Sequence, residues 1–343
     1  MTQQMIKTTI VPDVLGRVRD LIEPALQLAV DGLADPQMRL IARYQMGWCT
    51  ADGLPTEGGG KAIRPTLAVL SAEAVLGTSG AGIPGAMAVE LVHNFSLLHD
   101  DVMDRDVERR HRPTGWVAFG DGQAILAGNA MLTLAVEILV GSGLAGRRSL
   151  PCLLDATQLL ISGQSQDLRL EGDEAVELSD VLAMEAAKTA ALLSCASSIG
   201  AIAAGAPDHI VAGLAKFGHE LGLAFQLVDD ILGVTGDPAK TGKSASSDVR
   251  AGKRSAPIVA ALSDDSAAAR RLARLFEGDP PESEADVALA SRLISEAGGL
   301  DWAAREADAR LAAAIEHLQG LELVSSAAAE LAAVATYIVT RDR

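Results

Sequence analysis

The stretch AMAVELVHNFSLLHDDVMDRD, residues 86–106, decides the fold because it reads as one long apolar helix that ends in an aspartate pair. A second stretch, FQLVDDILGVTGD at residues 225–237, has the same character and carries another pair. Carboxylates are costly to bury unless a partner compensates their charge. Oxygen-rich sites without cysteine or histidine suit Mg²⁺, which binds carboxylates together with substrate phosphates. The two stretches therefore predict a metal-bridged polyphosphate site between two helices.

The composition of the 343-residue chain favours helices over sheets. Hydrophobic residues make up 49% of it and aromatic residues only 3%, with alanine and leucine prominent. Such a composition suits helices that pack closely through small side chains. Helical periodicity recurs along the chain, and no stretch shows convincing strand alternation. We therefore predict an all-α fold, a single-domain helical bundle around a central cavity over residues 1–343, with residues 1–12 as a candidate disordered end.

The charge and the cysteines restrict the class of protein. The net charge of −16 predicts a surface that repels nucleic acid and anionic membranes, so an anionic substrate needs a local basic cluster or a metal. Cys49, Cys152 and Cys195 are widely spaced, which predicts reduced thiols in a cytoplasmic protein and no zinc site. The N-terminus lacks signal-peptide order. The longest uncharged run, residues 189–207, is rich in small residues and favours a buried helix over a membrane span.

The first aspartate cluster has the geometry of a ligand-binding helix face. At about 100° per residue, His93, Asp100 and Asp104 share one face of the predicted helix, and Ser96 lies close to it. Arg109 and Arg110 follow, and arginines bind diphosphate oxygens bidentately. The alternative is a solvated helix end with ordinary ion pairs, since charged runs usually face water.

Specific motifs extend this reading. HDDVMDRDVERRHRPT, residues 99–114, resembles the first aspartate-rich motif of the trans-isoprenyl diphosphate synthases, also called polyprenyl synthetases. That motif is DDxxD followed by paired arginines, a glycine and a proline; here His111 stands where glycine is usual. GGGKAIRP, residues 58–65, resembles the GGKxxRP loop of the same family, with Lys61 and Arg64. The resemblance extends from about residue 57 to the C-terminus.

The second aspartate region resembles the family with one departure. In FQLVDDILGVTGDPAKTGKSASSDVRAGKRSAP, residues 225–257, the positions that match are Gln226, Asp229, Asp230, Lys243 and Lys253. Gly233 stands where the family has a third acid, and we expect that loss to be tolerated, because in the family the first aspartate of this motif is the direct metal ligand. Asp237 follows, more typical of a turn residue than of a substitute acid. Lys188 and Thr189 resemble the KT pair, where the family's helix kinks and exposes a backbone carbonyl.

The resemblance implies head-to-tail condensation of isopentenyl diphosphate with an allylic diphosphate, assisted by about three Mg²⁺ ions. The implied metal ligands are Asp100, Asp101, Asp104, Asp229 and Asp230. The implied substrate-binding residues are Lys61, Arg64, His93, Arg109, Arg110 and Lys253. The implied catalytic residues are Lys188, Thr189, Gln226 and Lys243. Arg341 and Arg343 either close over isopentenyl diphosphate or form a frayed terminus. Family members are usually homodimers.

Product length is the finer question. In the family the residues five and four positions before the first motif form the chain-length floor, here Phe95 and Ser96. This pair resembles geranylgeranyl synthases of the archaeal type. Helical geometry puts Phe95 about 140° from Asp100, so its role depends on a neighbouring helix or subunit. The alternatives are a farnesyl or longer-chain synthase, a terpene cyclase, which needs no isopentenyl site, and a non-catalytic partner subunit, which the loss at Gly233 keeps open.

Overall fold

The computed structural model describes residues 3–56, 60–171, 175–236, 246–277, 281 and 283–340. It is 79% helical, so the predicted all-α class is confirmed. The first half of the chain contains α1 Gln3–Asp31, α2 Pro36–Gln45, α3 Ile63–Leu76, a 3₁₀ turn Gly80–Gly82, α4 Ile83–Met103, strands β1 Glu108–Arg109 and β2 Arg112–Pro113, α5 Gly115–Phe119 and α6 Asp121–Gly141.

The second half is also helical. It contains α7 Gly143–Leu170, α8 Leu178–Glu185, a π-turn Ala186–Ala190, α9 Ala191–Ala203, α10 Asp208–Thr235, α11 Ser247–Arg250, α12 Ala256–Leu262, α13 Ala267–Leu275, α14 Glu284–Glu296, α15 Gly299–Gln319 and α16 Ser325–Thr340. A reciprocal capping box begins α8, in which Glu177 and Asp180 each accept the other's backbone N–H.

The structure corrects one detail of the helix pattern. The first helix begins at Gln3, and the disorder expected of residues 1–12 stays a prediction. The stretch 255–277, which reads as one helix, is divided between α12 and α13. The division follows from local chemistry, because Ser266 caps α13 by accepting from Ala269 N at 3.1 Å, and short polar side chains favour caps over helix interiors.

The chain forms two compact units, each built from separate stretches. Unit 1 comprises Met1–Thr157, Leu192–Gly218 and Ile315–Tyr337, and unit 2 comprises Gln158–Ala191, His219–Ala314 and Ile338–Arg343. In unit 1, α4 packs against α3 and α6 and buries most of its length. Its C-terminal end, which carries the first aspartate cluster, is thereby supported from two sides.

Unit 2 has its own apolar cluster, which holds the end of α10 next to α11. Val234 of α10 and Val249 of α11 are both fully buried in it, together with Ile258, Leu272 and Leu293. The hydroxyl of Ser246 also donates to Val234 O at 2.9 Å. These contacts fix α11 beside the second aspartate motif.

Two described helical stretches are long and apolar enough to cross a membrane by length and composition, Asp121–Gly141 and Leu178–Ala203. Core helices of globular proteins meet the same criteria, so this is weak evidence for a span. The second stretch also contains Glu185 and Lys188, whose charges are costly within lipid.

Candidate active site

The aspartates of the first cluster differ in what they contact. Asp101 is only 1% exposed, and its Oδ1 accepts from Arg109 Nε at 2.6 Å. Burial raises the pKa of Asp101, and the Arg109 guanidinium opposes that rise. Asp100 and Asp104 are partly exposed at the end of α4, where Asp104 N donates to Asp100 O. The predicted ligand set is therefore divided: Asp101 binds a protein cation, and Asp100 and Asp104 reach solvent.

A tight hairpin brings Arg109 to Asp101. Strands β1 and β2 pair antiparallel, with Arg109 opposite Arg112, and the two residues between them, Arg110 and His111, have φ of 53° and 59°. Positive φ at both central positions is the geometry of a two-residue turn that matches strand twist. This explains why glycine is usual at position 111, since a side chain is strained there.

A basic group lies beside α4 in unit 1. Arg64 Nη1 lies 3.2 Å from His93 Nε2. Burial lowers the pKa of His93 well below its usual value, and the charges of Arg64 and Arg110 lower it further. His93 is therefore neutral at pH 7 and accepts from Arg64. Burial also lowers the pKa of Arg64 to about 10, with Glu90 opposing, so the guanidinium stays charged. Such a group suits an anion as its ligand.

Sequence reasoning missed the acid in this group. Glu90 lies one turn from Asn94 on α4, and Asn94 Nδ2 donates to its Oε1 at 3.1 Å. Burial raises the pKa of Glu90, and the charges of Arg64 and Arg110 oppose the rise. Glu90 and Arg110 also line one pocket of unit 1 with Gly60. Lys61, which follows Gly60, is exposed. The sequence signal that could have identified Glu90 was its position on the same helix as His93, three residues before it.

The two chain-length residues are both buried. Phe95 is 5% exposed and makes an edge-to-face contact with His99, with ring centroids 4.9 Å apart. His99 in turn lies 3.0 Å from Ile125 O of α6. Ser96 is 6% exposed and donates to His93 O at 2.8 Å. The ring of Phe95 thus contacts a residue one turn later on its own helix, and that residue lies against α6.

The second aspartate pair repeats the division of the first. Asp229 is exposed, whereas Asp230 is 5% exposed and has both oxygens engaged. Gln226 Nε2 donates to its Oδ1 at 2.8 Å, and Ala256 N donates to its Oδ2 at 3.0 Å. Burial, and next the charge of Asp248, raise the pKa of Asp230 to about 6. Like Asp101, Asp230 is thus anchored by hydrogen bonds within the protein.

Lys188 and Thr189 stand on the π-turn Ala186–Ala190, in which Ala191 N donates to Ala186 O. The helix distortion predicted at the KT pair is therefore a π-turn, a feature often found at functional sites. Lys188 Nζ pairs with Asp167 Oδ2 at 2.5 Å. The Thr189 hydroxyl donates to Gln226 Oε1 at 2.7 Å, which links the π-turn to the second aspartate pair.

Two glycines allow neighbouring helices to approach this turn. A Cβ atom on Gly163 of α7 would overlap the backbone of Ala187 and Lys188, and one on Gly222 of α10 would overlap Ala190. No local sequence signal identifies these positions, because the contacts join residues far apart in the chain. The glycines hold the π-turn between α7 and α10.

These side chains line one cleft within unit 2, with about 670 Å³ of free space. Its charged and polar lining residues are Asp167, Glu171, Glu185, Lys188, Thr189, Gln226, Asp229, Asp230, Asp248, Lys253, Arg254 and Ser255. The predicted residues Lys188, Thr189, Gln226, Asp229 and Asp230 are brought together, with Lys253. Sequence reasoning missed Asp167, Glu185 and Asp248. Lys243, Asp237, Arg341 and Arg343 lie outside the described residues.

The donor set fits Mg²⁺ that is bound together with diphosphate. The side chains near both aspartate pairs are carboxylates and cations, and both oxygens of buried Glu185 lack a hydrogen-bond partner in the described part of the chain. Within the described ranges, no three His, Cys, Asp or Glu residues form a metal site by themselves. Mg²⁺ commonly takes one or two carboxylates and completes its shell with water and substrate phosphate, so substrate oxygens are required here.

Comparison with known proteins agrees with this arrangement. The polyprenyl synthetase family model matches residues 54–294. The chain is 43% identical to a (2E,6E)-farnesyl diphosphate synthase of Mycobacterium tuberculosis over 334 residues, covering 96% of this chain and 92% of the relative. It is 44% identical to a geranylgeranyl diphosphate synthase of the same organism over 307 residues, covering 89% and 87%.

A solved structure is similar throughout. The crystal structure of a polyprenyl synthetase from Streptomyces coelicolor has a TM-score of 0.92 and 46% sequence identity, and the match covers 96% of this chain and all of that one. The family match spans more than half of the chain. The chain belongs to the polyprenyl synthetase family, the trans-isoprenyl diphosphate synthases, and is by class a trans-prenyltransferase.

Proposed function

We propose that this protein condenses isopentenyl diphosphate head to tail with allylic diphosphates and releases geranylgeranyl diphosphate. The observation that carries the site assignment is the cleft of unit 2, in which Lys188, Thr189, Gln226 and Asp229 line one space. A diphosphate needs cations and metal, whereas an allylic cation needs uncharged dipoles. The cleft offers both, with Lys188 and Lys253 as cations and the linked Thr189 hydroxyl and Gln226 amide as dipoles.

The proposed metal ligands are the solvent-accessible members of each cluster, taken separately: Asp100 and Asp104 in unit 1, and Asp229 in unit 2. Bound Mg²⁺ would supply positive charge that stabilises the departing diphosphate. Asp101 and Asp230 act as supports: Asp101 orients Arg109, and Asp230 is held by Gln226 and Ala256. Lys188 donates to an oxygen of the leaving group when it exchanges Asp167 for the diphosphate. Arg109 of unit 1 and Lys243 are proposed as further diphosphate-binding residues, as their motifs imply.

Isopentenyl diphosphate is proposed to bind in unit 1. Arg64 and Arg110 provide charge, neutral His93 orients Arg64, and Lys61 adds a further cation from its exposed loop position. Arg64 Nε is buried and has no partner among the described residues, so it is a donor available to an anion. This group also argues against a terpene cyclase, which has no second diphosphate to bind.

The geranylgeranyl product rests on Phe95 and Ser96. A buried aromatic ring braced by His99 is a rigid stop for a growing chain, and the geranylgeranyl synthase relative is 44% identical. A farnesyl product is the second candidate, because the relative named for that product matches more of this chain. We further propose a cytoplasmic homodimer. Ile125 and Leu126 of α6 are 41% and 55% exposed, which leaves apolar surface for a second copy.

One assay decides among these functions. Purified protein with Mg²⁺ and isopentenyl diphosphate is supplied in turn with dimethylallyl, geranyl or farnesyl diphosphate, and the dephosphorylated products are separated by chromatography. A C20 alcohol from all three primers supports the proposal, and a product that stops at C15 supports the farnesyl alternative. A cyclic hydrocarbon that forms in a parallel reaction from which isopentenyl diphosphate is omitted indicates a cyclase. Absence of turnover with every primer refutes the synthase and favours a partner subunit. Light scattering after size-exclusion chromatography measures the molar mass in solution and so tests the homodimer.

A further inference from the structure

Gly233 is the departure of this chain from the second aspartate motif, and the structure shows what occupies the vacant position. A Cβ atom built on Gly233 would overlap the carboxylate of Asp248, closer than real Cβ atoms approach any neighbour. All three atoms of that overlap belong to the carboxylate group of Asp248. A carboxylate therefore stands where the first atom of a side chain at position 233 would be.

The approach of Asp248 to Gly233 is built into the core of unit 2. The residue after each of them, Val234 and Val249, is fully buried in the same apolar cluster. Ser246 adds a hydrogen bond to Val234 O at 2.9 Å. Lys253 N donates to Asp248 O at 2.9 Å and closes the segment that follows α11. The carboxylate is thus placed by packing and backbone hydrogen bonds on both sides.

The carboxylate also faces the chemistry of the second motif. Asp248 lines the same cleft as Asp229 and Asp230, and its charge contributes to the raised pKa of Asp230. Glu185 is a further buried acid that faces this cleft. It is 2% exposed, lines the cleft, and no hydrogen-bond donor among the described residues contacts either of its oxygens. Buried acids left in this state need a proton or a metal nearby.

We propose that Asp248 supplies the third carboxylate of the second aspartate motif, and that Gly233 is the residue that leaves room for it. The motif of this chain is then Asp229, Asp230 and Asp248, with its third acid on α11 instead of on α10. The proposal deepens the proposed function and rests on it, since it concerns the metal–diphosphate complex of the same cleft. It also explains how the motif keeps three carboxylates although position 233 carries no acid.

Titration with Mn²⁺ in the presence of inorganic diphosphate, followed by electron paramagnetic resonance, measures the site without catalysis. Asp248→Asn keeps the shape and removes the charge, and we expect about tenfold weaker Mn²⁺ binding. Asp301→Asn, an exposed acid of unit 2 outside the cleft lining, is the matched control and should bind as the parent does. Gly233→Ala should also weaken binding about tenfold, because its Cβ displaces Asp248. Its urea midpoint should fall, because the added Cβ overlaps a carboxylate that packing holds in place, so the binding test rests on Asp248→Asn, which adds no atom.

Relocation of the acid is the decisive comparison. Gly233→Asp combined with Asp248→Ala returns a carboxylate to α10 and should restore most of the affinity that Asp248→Ala loses. Gly233→Asn combined with Asp248→Ala has the same size without the charge and should not. Parent-like binding by Asp248→Asn, or equal restoration by the two double variants, overturns the proposed role of Asp248 and leaves the proposed function standing. Failure of the parent protein to bind Mn²⁺ with diphosphate overturns the proposed function as well.

Discussion

The ammonium group of Lys188 lies 2.5 Å from a carboxylate oxygen of Asp167, although the two residues are 21 positions apart in the chain. Asp167 belongs to α7, whereas Lys188 stands on the π-turn that follows α8. Both side chains are mostly buried, so neither charge is well solvated. The pair holds the Lys188 side chain at the wall of the cleft.

Lys188→Met should lower kcat/KM for the allylic substrate about 100-fold. A hydrogen bond between two charged groups contributes about 1.5–3 kcal/mol, and its loss also leaves Asp167 unpaired beside other acids. Steady-state kinetics with the allylic diphosphate varied measure the effect. Lys216→Met removes the same charge from an exposed position of α10 and should leave kcat/KM unchanged. Equal losses in both variants would show that net charge, and not this contact, matters.

Gly163→Ala should destabilise the protein by about 1–3 kcal/mol and lower kcat, because the added methyl group forces α7 away from the π-turn backbone. Chemical unfolding and product formation measure the two effects. The matched control is Gly16→Ala in α1, where no atom lies within 4 Å of the added Cβ. That change should stabilise the helix by about 0.5–1 kcal/mol. A stabilising Gly163→Ala would contradict the close approach of α7 to Lys188.

His111→Gly should stabilise the protein by about 1 kcal/mol, because His111 has a φ of 59° that costs an L-residue energy and costs glycine little. The exposed contact of His111 with Glu108, at 3.8 Å, contributes little to lose. His111→Ala keeps the Cβ and the strain, so its unfolding free energy should stay near that of the parent. The idea fails if alanine stabilises as much as glycine does.

The unfolding free energy of the metal-free protein should depend on pH through Asp230. The pKa of Asp230 is about 6 in the folded protein, against an ordinary aspartate value of 3.8 in the unfolded chain, so folding favours the protonated form. This contribution is fully present below pH 3.8 and is lost as the pH rises through about 6. The total loss is roughly 3 kcal/mol by linkage.

Asp230→Asn cannot lose that contribution, because it has no proton to release. In buffers with EDTA, the parent should therefore lose stability relative to Asp230→Asn between about pH 4 and pH 6, the interval between the two pKa values. Urea unfolding at several pH values measures the difference between the two slopes. Parallel slopes would show that Asp230 is ionised throughout this range when the protein is folded.

Much of the helical architecture was accessible from sequence because helix periodicity is a local signal. The pattern located α4 and α10 well, and the motifs identified Lys188, Asp229, Asp230 and Lys253 of the cleft but not Asp167, Glu185 or Asp248. The two-residue hairpin around His111 was not anticipated as paired strands, since two residues are too few to show alternation. The break between α12 and α13 was missed because its cap depends on one serine within a helix-forming stretch.

The sequence by itself determined the helical class, the family and the identity of the charged groups, because these follow from local periodicity and from motif spacing along the chain. Only the tertiary structure decided which of those groups are held by protein partners and which reach solvent. Asp101 and Asp230 are anchored while Asp100 and Asp229 reach solvent, Asp167 pairs with Lys188, and Asp248 stands beside Gly233. Each of these relationships joins residues from different elements, and packing between helices sets such distances whereas sequence spacing does not.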